Sequence, residues 1–91
     1  MKNIKVENMT SSNGNDIPNQ FIIRTNKGKY FQSYNSMIAF ISNDGSTKLD
    51  KGTWDYSRAT GKYRNQFLGE DKKETERKIK EGIYKLVDLN S

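Results

Sequence analysis

Residues 21 to 34, FIIRTNKGKYFQSY, constrain the fold more than any other part of this chain. Two runs rich in β-branched and aromatic residues flank the short turn NKG at 26 to 28, a pattern that predicts an antiparallel hairpin. In its second arm the two-residue period turns Phe31 to one face and Tyr30, Gln32 and Tyr34 to the other. An antiparallel sheet is therefore the frame into which the remaining segments must fit.

Several segments extend that sheet. Ile4 and Val6 suggest a short first strand, and TSSNGNDIPN at 10 to 19 has the polar, turn-rich composition of a mobile loop. SMIAFIS at 36 to 42 is apolar on both parities and reads as a buried strand or a short helix, with strand preferred. NDG at 43 to 45 signals a turn, and STKLD at 46 to 50 returns as a strand.

Beyond Trp54 the period becomes helical. Ser57 caps a first helix over about 57–68, whose stripe is Ala59, Tyr63 and Phe67 and whose stop is Gly69. Asp71, with Glu74 three residues on, opens a second helix over about 72–81. It offers only Thr75 and Ile79 as an inward face, with Glu74–Lys78 and Glu76–Lys80 spaced as surface ion pairs. Gly82 ends it, and IYKLVDL at 83 to 89 closes the chain as a strand. The expected fold is one α+β domain over 1–91: a small antiparallel sheet of four to six strands, packed on one face against the two helices.

Leu, Ile, Val and Phe make up only about a fifth of the 91 residues, close to the level at which chains fail to offset ordering entropy. Tyr and Trp must then help fill a thin core, with their polar tips left wet. Trp54, Tyr56, Tyr63 and Phe67 read as core and core-edge residues on this ground. Net charge is +5, which favours phosphates, anionic membranes or acidic proteins as partners, although a mildly basic soluble domain needs none of them. Cysteine and histidine are absent, which removes disulfides, thiolate metal sites and the commonest general base. No signal-peptide pattern or membrane span is visible, so a cytoplasmic protein is expected.

Catalytic and metal motifs are not found. GK at 61 to 62 lacks the earlier Gly and the following Ser or Thr of a phosphate-binding loop, and Asp44, Asp50 and Asp55 lack metal-ligand spacing. A non-enzymatic protein without cofactor or metal is expected. Two acid-free stretches stand out instead. In 56 to 69, Ser57 and Thr60 offer hydroxyls near a helix N-terminus while Arg58, Lys62 and Arg64 supply positive charge suited to phosphate. In 17 to 43, Arg24, Lys27 and Lys29 accompany Phe31 and Tyr34, a mixture used to hold nucleic-acid backbones and stacked bases.

The stretches FQSY at 31 to 34, IAF at 38 to 40, LD at 49 to 50, WDYSRATGKY at 54 to 63, FLGE at 67 to 70 and KIKEGIYKLVDLN at 78 to 90 carry a further signal. Through them the chain resembles a family of short bacteriophage and mobile-element proteins of unknown function. Thr often stands in that family where this chain has Ala59, so no hydroxyl role carries over there. The resemblance implies a phage or prophage setting in a bacterial host and no particular chemistry. Three functions fit: a nucleic-acid-binding accessory protein, which is favoured; an inhibitor of a host enzyme or defence complex, of anti-CRISPR or anti-restriction type; and an oligomerising module that uses an unpaired sheet edge.

Overall fold

The computed structural model describes residues 4–90. Six strands form one sheet in sequence order: β1 (Lys5–Thr10), β2 (Asp16–Thr25), β3 (Gly28–Ser33), β4 (Ser36–Ser42), β5 (Thr47–Asp50) and β6 (Tyr84–Val87). The first five pair antiparallel with their neighbours, whereas β6 lies parallel to β5. A parallel pair needs a long crossover, and α1 (Arg58–Leu68) and α2 (Lys72–Lys80) supply it. The α+β fold read from the sequence is thus the one observed, with the closing strand shorter than expected and parallel. No helix among the described residues is long and apolar enough to cross a membrane.

The expected hairpin is β2–β3, closed by the two-residue turn Asn26–Lys27. Gly28 opens β3 at φ 152°, where a Cβ would stand 2.2 Å from the Ile41 carbonyl oxygen, so the close approach of β3 and β4 requires glycine here. The double apolar parity of residues 36 to 42 has a physical origin. Phe31 pairs with Ala39 while Gln32 pairs with Met37, leaving Ile38 as an unpaired bulge residue. Ile38 and Ala39 are accordingly both fully buried.

At the N-terminal end the strands run further than the composition suggested. Only residues 11 to 15 connect β1 and β2; of the segment read above as loop, Thr10 belongs to β1 and Asp16 to Asn19 belong to β2. Met9 and Ile17 are buried there, apolar anchors strong enough to extend the pairing.

Neighbouring positions place Glu7, Ile22, Phe31, Ala39, Leu49 and Leu86 in one cross-strand row on the inner face. Phe31 stacks on Phe67 of α1 with ring centroids 5.7 Å apart, and Trp54, Tyr63, Leu68 and Ile79 pack around this core. Tyr56, grouped with them in the sequence reading, is instead 49% exposed. The caps are as expected. The Ser57 hydroxyl accepts from Thr60 N–H, the Asp71 carboxylate accepts from Glu74 N–H, and Gly69 closes α1 in the left-handed region at φ 73°.

Thr75 is the buried residue of α2, and around it lies a polar cluster. Glu70 accepts from Thr75, from Lys78 at 2.8 Å and from the Tyr84 hydroxyl at 2.8 Å. Burial alone would raise the Glu70 carboxyl, but hydrogen bonds from Lys78, Thr75 and Tyr84 hold it below its ordinary value of 4.5. A carboxylate depressed in the folded state stabilises the fold above its unfolded value and loses that contribution as pH falls through the folded one. Thermal melts should therefore show stability falling once pH drops below about 4.5, with a shallower fall for Glu70→Gln. Parallel pH profiles for the two proteins would show that this cluster does not govern acid unfolding.

Candidate nucleic-acid interface

The cations of α1 separate by helical position. Arg58 and Lys62 are exposed, but Arg64 is fully buried and committed. Its Nη1 donates to the Trp54 carbonyl at 2.7 Å and to Asp55 at 3.1 Å, its Nη2 donates to Asn65 at 2.8 Å, and its guanidinium lies 5.2 Å from the Trp54 ring centroid. Thr60 is buried too, held between Ser33 at 3.1 Å and Ser57 at 2.9 Å. Arg64 and Thr60, expected from the sequence at a phosphate, thus serve the interior: a buried guanidinium needs carbonyl and carboxylate partners, and the 54–55 turn brings them beneath the helix. Ser57 is already engaged as the cap.

What remains is an open cleft of about 410 Å³ rimmed by Tyr56, Arg58, Lys62 and Lys72, with Asp55 in it. Lys72 lies 2.7 Å from Asp55. Burial would raise the Asp55 carboxyl, but Lys72 and Arg64 bring it below its ordinary range. The cleft therefore keeps an excess of positive charge.

The other expected cations lie elsewhere. Arg24 pairs with Glu7 at 3.1 Å, and Lys29 Nζ sits 5.6 Å from the Phe67 ring centroid. Both line a second open cleft of about 400 Å³, next to exposed Lys27 in the turn. Tyr34, at φ 56°, is exposed beyond the opposite end of β3. Phe31, the remaining member of that stretch, is fully buried, and the expected residues therefore do not form one site.

A different array does come together on the outer face of the sheet, opposite the helices. Register places Val6, Ile23, Tyr30, Phe40, Lys48 and Lys85 in a single row, one residue from each strand. Asn8, Phe21, Gln32 and Met37 form the row beside it. Tyr30 and Phe40 have ring centroids 4.4 Å apart at 35°, Val6 is 61% exposed, and both lysines are exposed. Neither row contains a carboxylate. The two-residue period had already turned Tyr30 and Gln32 outward. Phe40, Lys48 and Lys85 join them only through pairings that no local pattern reveals.

Side chains of this type offer ring faces to bases and ammonium groups to phosphates. No curated protein and no solved structure matches the chain. Residues 4–82 do match one family, and this span takes in both helices and every strand of the sheet except β6. The chain belongs to that family of unknown function, DUF8033.

Proposed function

We propose that this protein binds single-stranded nucleic acid on the outer face of its sheet, without catalysis, as a small accessory protein of phage or mobile-element type acting in the bacterial cytoplasm. The observation that carries this reading is the acid-free row in which Tyr30 and Phe40 adjoin Lys48 and Lys85 on a face that, among the described residues, no helix covers. Aromatic groups next to cations hold a strand with little regard to sequence, because every base has a π-face and every nucleotide a phosphate. A duplex fits less well, since its bases are already stacked. The phage setting rests on the sequence resemblance alone.

Fluorescence anisotropy with a labelled oligonucleotide over a salt series tests the proposal. Each lost phosphate contact lowers the slope of log K against log salt by about 0.7 for a single strand, so Lys48→Ala with Lys85→Ala should remove about 1.4. Tyr30→Ala should weaken binding by about 1–3 kcal/mol at every salt concentration. Arg58→Ala with Lys62→Ala should leave the slope in place. Failure of the wild type to bind at about 50 mM salt, or loss of slope only in the Arg58 and Lys62 variant, contradicts the assignment. A stoichiometric complex with a host protein that survives nuclease digestion would favour the inhibitor reading instead.

A further inference from the structure

One edge of the sheet carries a pattern of its own. β1 is one of the two edge strands, β6 being the other, and among the described residues no other strand pairs with its far side. The direction in which its backbone groups point follows from the β2–β3 hairpin. In a two-residue hairpin the closing pair, Thr25 and Gly28, exchanges hydrogen bonds, and so does every second pair beyond it. The 2.7 Å bond from Tyr34 N–H to the Asn19 carbonyl keeps this parity to the far end. Ile23 and Thr25 therefore face β3, whereas Ile22 and Arg24 turn their N–H and C=O groups toward Glu7 and Lys5 of β1. Val6, between them, presents its own N–H and C=O to the free edge.

We infer that β1 pairs antiparallel with β1 of a second copy, about a two-fold axis through Val6. This register makes Val6 opposite Val6 a hydrogen-bonded pair. It also sets Lys5 of each copy opposite Glu7 of the other, in the non-hydrogen-bonded position where side chains approach most closely. An edge lysine ordinarily discourages sheet extension. Here the match two residues along reverses its effect, because a two-fold axis at Val6 satisfies both charges in both copies. Glu7 can serve Lys5 of the second copy while keeping Arg24, whose contact uses Oε1 alone. Ile4 and Val6, 68% and 61% exposed, lie at this junction. The register shift between Asn8 and Thr10 limits regular pairing to the segment before Met9. In the dimer the outer row Phe40, Tyr30, Ile23, Val6 continues directly into the same row of the second copy.

The pairing needs no nucleic acid, so it is tested on the protein alone, by sedimentation equilibrium up to about 1 mM, which detects even weak dimers. A dimer is expected. Val6→Pro removes one outward N–H but no bond to β2, a change that edge strands tolerate, and should give a folded monomer by circular dichroism. Lys5→Glu or Glu7→Lys alone places like charges across the axis and should weaken the dimer about tenfold, while the double exchange restores it. A wild type that stays monomeric, or a dimer indifferent to Val6→Pro and to the charge exchange, overturns the inference.

Discussion

Arg64→Ala should destabilise the protein by about 3–5 kcal/mol, a large part of the total for a domain of this size. The side chain is fully buried, and its removal leaves the Trp54 carbonyl without its 2.7 Å donor and the Trp54 ring without the cation over it. Asp55 suffers less, because Lys72 still holds it at 2.7 Å. Arg64→Lys should not rescue the loss, since an ammonium cannot reach Trp54, Asp55 and Asn65 together as the planar fork does. Arg64→Met should cost less than Ala, because both delete Nε, buried without a partner among the described residues, but only Met keeps a packed stem. Arg58→Ala, six positions earlier and exposed, should stay within about 0.5 kcal/mol of wild type. Urea denaturation of the four variants checks the order, and an Arg64→Ala protein as stable as Arg58→Ala would show that the buried fork is not structural.

Adjacent residues of β3 give the second large effect. Phe31 is fully buried, lies between Ile22 and Ala39, and stacks on Phe67. Phe31→Ala should cost about 3–5 kcal/mol through lost transfer energy and the cavity left behind. Tyr30, one residue earlier, faces away from the helices over Phe40 and should cost about 1 kcal/mol or less when replaced by Ala. On the proposed function the order reverses for binding: Tyr30→Ala loses affinity while folded, and any binding defect of Phe31→Ala tracks its unfolded fraction. Equal stability losses for the two variants would contradict the assignment of faces.

The parts of the fold legible in the sequence are those specified by local chemistry. The Asn26–Lys27 turn, the Ser57 and Asp71 caps and the Gly69 stop each depend on a few contiguous residues, and each stands where the sequence put it. Segments decided by tertiary contact were harder to read. Asp16 to Asn19 look like loop because they are polar, yet buried Ile17 draws them into β2. Residues 36 to 42 look ambiguous because a bulge turns Ile38 and Ala39 to the same interior. Even the far edge of β4 is completed at long range. Asn90 accepts from Met37 N–H and donates to Met37 C=O, standing in for the strand that β5 does not supply there.

The candidate site divides along the same line. Acid-free sequence marked Arg58 and Lys62 as outward cations, and both are exposed, since Asp55, the carboxylate of their cleft, is taken by Lys72 and Arg64. It could not distinguish Arg64, whose burial depends on carbonyl and carboxylate groups ten and nine residues away. Nor could it assemble Tyr30, Phe40, Lys48 and Lys85, which span residues 30 to 85 and meet only through strand register.

Binding of nucleic acid on the outer face of the sheet is tested by titrating the isotope-labelled protein with a short single-stranded oligonucleotide and following its amide and aromatic NMR signals. The largest shifts are expected at Ile23, Tyr30, Phe40, Lys48 and Lys85, with little change around Arg58, Lys62 and Lys72. Shifts confined to the α1 cleft, or no shifts at about 50 mM salt, where even non-specific contacts to phosphate are strong, would contradict it.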